Sequence, residues 1–330
     1  MKNLNDMQFQ DNVVNLLADY DLFLCSAGFE DRTVSALERT VDIVRIKKSL
    51  INLYRVDDDE LFSRNKDHAD KINHLLSGIN ANPKILETKP NDPSEFMFEL
   101  ENTLLKSKNV LIDITSFTRL FLYSVLDLCE RYNVKSHILY SEPLEYTMNF
   151  SQGLESIIIM PTNPGVPDQS KKILMVLFLG WESRRLGSVV EEWEPDKLIT
   201  IAEFSNNETR EYWNEVTMKQ CEELVVKSEH FRVPALKPRE TLAKLEEIFA
   251  KYQNEYDICL VNGGPKIQCL ALSEFAFKHP EVQLLYAKPY RWKQELPSSD
   301  STKPISKGTG VTYVFSYPLN AFLEPQMEIT

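Results

Sequence analysis

Val110-Leu-Ile-Asp-Ile-Thr-Ser-Phe-Thr-Arg119 begins as an apolar run, turns abruptly polar and small, and passes into Leu120–Arg131, which has helical spacing. It has an echo in Asp257-Ile-Cys-Leu-Val-Asn-Gly-Gly-Pro-Lys266, followed by the amphipathic run Ile267–Lys278. Each reads as a buried strand, a tight turn and a helix. A helix that starts at such a turn points free backbone N–H groups and its positive dipole end at whatever lies above the sheet. A basic residue, Arg119 or Lys266, stands in the expected first turn. The arrangement favours an anion, and phosphate is the commonest one.

Outward from these stretches, strands and helices alternate along the whole chain. Asp21–Ser26, Leu50–Val56, Ile85–Thr88, Val110–Asp113 and Ser136–Ser141 read as strands, and helical spacing fills the intervals. Asp57–Glu60 reads as an acidic turn, and Ser156–Met160 as the strand that closes the first half. The pattern begins again at Ile173–Leu179 and ends on Thr312–Ser316, read as the closing strand of the second half. Alternation of this kind predicts an α/β protein with mostly parallel sheets. Pro161–Asp168 holds three prolines and a glycine, so residues 161–171 are expected to link a first Rossmann-like unit (1–160) to a second (172–330). The register supports duplication. Gly28 precedes Arg119 by about as many residues as Gly180 precedes Lys266, and Ile138-Leu-Tyr-Ser-Glu-Pro143 matches Leu284-Leu-Tyr-Ala-Lys-Pro289. Two such units are expected to pack as an internal pseudo-dimer. One difference is the stretch Glu295–Gly310, rich in Ser, Pro, Lys and Gly, which reads as a lid or a plain loop.

Composition narrows the function. The chain has 330 residues, a formal net charge of −12, and hydrophobic and charged fractions of 43% and 26%, as in soluble globular proteins. That charge argues against a broad nucleic-acid-binding face, though not against a small basic pocket for a nucleotide. The longest apolar run, Ile173–Leu179, is too short for a membrane span. Residues 1–20 lack a secretory signal pattern, and five scattered cysteines suit buried thiols, so a cytoplasmic protein is expected.

Open α/β sheets bind ligands beyond the carboxyl ends of their strands. In the first half those ends carry Ser26, Gly28, Glu30 and Arg32, together with Thr115, Ser116, Thr118 and Arg119. In the second they carry Gly180, Glu182, Arg184 and Arg185, together with Asn262, Gly263, Gly264 and Lys266. Of only 10 glycines, four fall at these turns, where close backbone approach to a ligand requires the missing Cβ. Each set has two readings. Thr and Ser either cap the next helix or meet a ligand; Glu30/Arg32 and Glu182/Arg184 either pair to hold a turn or meet phosphates and ribose hydroxyls. Tyr140 and Tyr286 are either core aromatics or stacking platforms. Glu30 and Glu182 are the candidates for acid/base catalysis. No P-loop, dinucleotide fingerprint, nucleophile elbow or zinc-ligand spacing is present, so no cofactor and no metal are expected.

Ser26-Ala-Gly28 and Leu179-Gly180, with Val261-Asn-Gly-Gly-Pro-Lys266 and more loosely Ile114-Thr-Ser-Phe-Thr-Arg119, resemble the two motifs of the CRISPR-associated Rossmann fold (CARF). Proteins of that family dimerise and bind cyclic oligoadenylates, and some cleave them as ring nucleases. The family's usual Thr-Gly-Gly-Thr-Lys stands here as Asn-Gly-Gly-Pro-Lys and as Thr-Ser-Phe-Thr-Arg. With both halves counted, no span is left for a separate effector domain. The resemblance therefore implies a sensor or partner subunit for a nucleotide-derived signal in a prokaryotic defence or stress system, with a separate effector protein as partner. It also admits a ring-opening enzyme that cleaves a phosphodiester or N-glycosidic bond. A scaffold with vestigial sites is the third reading.

Overall fold

The structure, a computed structural model, describes residues 7–9, 16, 18–146, 151–180, 183–204, 208–292 and 306–319. The chain divides into two compact units, one of residues 1–146 and 306–330, the other of residues 147–305. In the first, β1 (Met7–Phe9), β2 (Asp19–Tyr20) and β3 (Leu22–Ala27) lead through a 3-10 turn (Asp31–Val34) into α1 (Ser35–Thr40). Then come β4 (Arg45–Ile46), β5 (Ser49–Tyr54), α2 (Asp59–Gly78), β6 (Pro83–Thr88) and α3 (Ser94–Leu104). β7 (Asn109–Asp113), α4 (Arg119–Arg131), β8 (Lys135–Ser141) and β9 (Glu145–Tyr146) follow.

The second unit holds β10 (Ser151–Ile159), β11 (Lys172–Phe178), α5 (Ser183–Trp193), β12 (Lys197–Phe204), α6 (Glu208–Glu222) and β13 (Ser228–Pro234). It ends with α7 (Pro238–Tyr252), β14 (Tyr256–Asn262), α8 (Gln268–Lys278) and β15 (Gln283–Trp292). β16 (Ser306–Lys307) and β17 (Thr312–Tyr317) belong to the first unit again.

The larger sheet of the first unit has the order β1-β17-β8-β7-β3-β5-β6, and that of the second β10-β15-β14-β11-β12-β13. Within each, five strands run parallel in the same order, and one antiparallel strand, β17 or β10, flanks the fifth. This is the α/β architecture that alternation predicts, with two Rossmann-like sheets. The central strands are largely apolar because both faces are covered: every residue of β3 and β5 is buried. Phe23, Ile51, Ile72 and Leu76 lie in one core cluster of the first unit, and Met175, Leu177, Val189, Leu198 and Val261 in one of the second.

Two expectations are corrected. The strand at 156–160 does not close the first sheet: Ile157, Ile158 and Ile159 pair with Ala287, Tyr286 and Leu285 of β15. The strand at 312–316 does not close the second: Val314 and Phe315 pair with Leu139 and Ile138 of β8. The closing strands are exchanged relative to their order in the chain. Residues 161–171 consequently join β10 to β11 inside the second unit and do not tether one unit to the other. They are packed there by backbone bonds from Leu284 N to Asn163 O (3.0 Å) and from Val166 N to Glu281 O (3.2 Å).

Candidate functional site

In each sheet the connections diverge between the first and fourth parallel strands, β3 and β7 or β11 and β14, and this switch point is where such folds bind ligands. The turn after β3 carries Gly28, and the turn after β7 carries Ser116. A methyl group on Gly28 would lie 3.0 Å from Ser116 Cβ, so the two turns touch. The Thr33 hydroxyl donates to Gly28 O at 3.1 Å and lies 2.9 Å from Ser116 Oγ. Arg32, although charged, is buried. Its Nε donates to Glu30 Oε2 at 2.8 Å, its Nη1 to Ser141 O at 2.8 Å, and its guanidinium lies over the Tyr140 ring at 5.6 Å. Glu30 and Arg32 thus form the turn-holding pair.

Other residues of the expected set serve the scaffold. Buried Ser26 is joined to Asn52, whose Nδ2 donates to Ser26 Oγ at 3.1 Å. Buried Thr115 accepts from Ser141 N at 3.0 Å, while its own N–H donates to Asp113 Oδ1 at 2.9 Å. Thr118 is the N-cap of α4: its side chain accepts from Phe121 N at 3.4 Å and donates to Pro90 O at 3.2 Å. Arg119 opens α4, and it and Ser116 are half-buried. One group outside the expected set also meets this turn. His68, on α2, sets its Nδ1 2.6 Å from Gly28 O, and Arg64, one turn earlier, pairs with Asp31 at 3.3 Å.

The second unit builds its switch point from backbone. A methyl group on Gly180 would lie 1.8 Å from Gly263 O, and one on Gly263 would lie 2.5 Å from Leu186 Cδ1. Gly263 N donates to Phe178 O at 2.9 Å, and the Thr217 hydroxyl to Gly180 O at 2.9 Å. The missing Cβ atoms here make room for the other turn and for Leu186, where the sequence reading expected a ligand. Gly264 faces Glu203, whose Oε1 would lie 3.0 Å from an added methyl. Asn262 is buried and donates to Pro265 O at 3.3 Å and toward Cys269 Sγ at 3.2 Å. Lys266 is half-buried and stands in a tight turn ahead of α8, which begins at Gln268. Arg184 is exposed and Arg185 buried. Glu182 lies outside the described residues.

All five cysteines are buried and none forms a disulfide. Burial pushes the Cys129 thiol up to about 12 and raises Cys25 well above its ordinary value, with the Asp113 charge adding to the latter. Such thiols are poor nucleophiles. Among the described residues no group of three or more His, Cys, Asp or Glu is placed to hold a metal ion, and no helix is long and apolar enough to cross a membrane. What the turns offer is half-buried cations, hydroxyls and one imidazole at the strand ends.

No family model and no curated protein matches the chain. Among solved structures it is similar to a Type III CRISPR defence DNA nuclease activated by cyclic oligoadenylate, with a TM-score of 0.50 and 9% identity over 78% of this chain. The alignment spans 64% of that nuclease's length. A multidomain adenylation and ketoreductase structure from a keto acid-selecting NRPS module aligns with a TM-score of only 0.23 at 8% identity, over 82% of this chain and 29% of that one, and carries no argument. The likeness to the CRISPR nuclease is one of fold, and at that level it agrees with the CARF resemblance of the switch-point motifs.

Proposed function

We propose that this protein binds a nucleotide-derived signal of the cyclic oligonucleotide class, as a sensor or partner subunit in a prokaryotic defence or stress system. The observation that carries the reading is the convergence, in each unit, of two turns at the switch point of a Rossmann-like sheet, one pair flanked by Arg119 and the other by Lys266. The likeness in fold to a nuclease activated by cyclic oligoadenylate supports the choice of ligand class. The common strand order supports a further part of the proposal, that the units are copies of one duplicated CARF-like module. In the first unit Gly28, Ser116 and Arg119 meet the ligand, with Arg32 and Glu30 holding the turn. In the second, Gly264, Lys266 and Arg184 do so. The response passes to a separate effector protein.

The test is incubation with labelled cyclic and linear oligoadenylates, with binding and products followed together. Retention of an intact ring supports the sensor. Conversion to linear products would replace it with a ring-opening enzyme, for which Glu30 and Glu182 are the acid/base candidates. Neither binding nor conversion would leave a scaffold with vestigial sites.

A further inference from the structure

His68 is half-buried on α2, with its Nδ1 2.6 Å from the carbonyl oxygen of Gly28, at the switch-point turn of the first unit. A carbonyl oxygen accepts and does not donate, so Nδ1 carries a proton whatever the charge of the ring. Nε2 has no hydrogen-bond partner among the described residues and is not one of the buried polar atoms. The ring is thus fixed by one nitrogen and open at the other. The turn that fixes it is the one that touches Ser116 of the turn leading into α4.

Arg64 and Lys71, neighbours of His68 at helical spacing, pair with Asp31 (3.3 Å) and with Glu38 of α1 (2.8 Å), and Glu30 pairs with Arg32 (2.7 Å). We infer that His68 Nε2 is a further ligand contact of the first unit, donating as the imidazolium to a phosphate oxygen of the bound anion. This inference rests on the nucleotide reading of the same switch point, and deepens it.

The variant that isolates the contact is His68→Asn, because the Asn amide can donate to Gly28 O in place of Nδ1 while offering nothing where Nε2 was. Affinity for cyclic oligoadenylate is to be measured for both proteins at one pH. His68→Asn should melt like wild type and bind about tenfold more weakly, as expected for one lost charge-assisted hydrogen bond. A variant that binds as tightly as wild type would overturn the inference and leave the nucleotide reading standing. If wild type binds no oligoadenylate, the nucleotide reading fails, and titration of inorganic phosphate against the His68 ring signals by NMR decides separately. Shifts of those signals support the contact, and their absence overturns it.

Discussion

A single methyl group measures how tightly the second switch point is closed. Gly180→Ala would set a Cβ 1.8 Å from a carbonyl oxygen on the facing turn, and backbone cannot swing aside as a side chain does. The expected cost exceeds the ~1–3 kcal/mol of ordinary overpacking, read as a lowered urea midpoint. Gly28→Ala meets Ser116 side-chain atoms at 3.0 and 3.2 Å and should cost clearly less. Arg119→Ala and Lys266→Ala should each weaken oligoadenylate binding by ~1.5–3 kcal/mol with the fold intact; titration calorimetry showing unchanged affinity in both would remove the phosphate reading. His137 supplies a pH test of the fold. Burial lowers its imidazole from 6.5 to about 4, and its Nδ1 lies 2.9 Å from the Tyr20 hydroxyl. Below pH 6.5 the unfolded chain takes up a proton that the native ring refuses, so stability should fall with pH until about 4 and then level off. The loss is about 3 kcal/mol in all. Urea unfolding at a series of pH values should show this slope in wild type and lose it in His137→Gln.

Among the elements, the strand-turn-helix units were readable because their apolar runs have strand length and the following spacing is helical. The acids at 57–60, read as a turn, instead start α2: Asp58 caps it by accepting from Leu61 N at 2.9 Å, and Asp59 and Glu60 occupy the first turn, where negative charge suits the helix dipole. Thr118 plays the same part for α4, and Thr118→Ala should lower stability by about 1 kcal/mol, measured by thermal melting. Between the two readings left open for Thr118, the structure gives the cap. Sheet partners were not readable. A short apolar run states that it will be buried in a sheet and says nothing of which edge it joins, so β10 and β17 were assigned to their neighbours in sequence. His68 was missed for a related reason: its contact with Gly28 is non-local. Gly180 and Gly263 were recognised as positions that need a missing Cβ, but what fills the space is set by the facing turn.

For the whole molecule, the exchanged strands decide which piece of chain is self-sufficient. Residues 147–305 contain all six strands of the second sheet, and as a fragment they should give a dispersed NMR spectrum. A fragment of residues 172–330 lacks β10, leaves the outer edge of β15 bare, and should not. A fragment of residues 1–160 should fail likewise, since β17, the partner of β8, is absent from it. The same arrangement sets an order of events on the ribosome. The inner segment has all its strands once residue 305 has been added, whereas the sheet of the first unit waits for Thr312–Tyr317, which follow it in the chain. Until then β8 offers an open hydrogen-bonding edge to any passing strand. A nascent chain interrupted between residues 305 and 312 therefore carries one finished sheet and one adhesive one, and quality control would meet that half-closed species first.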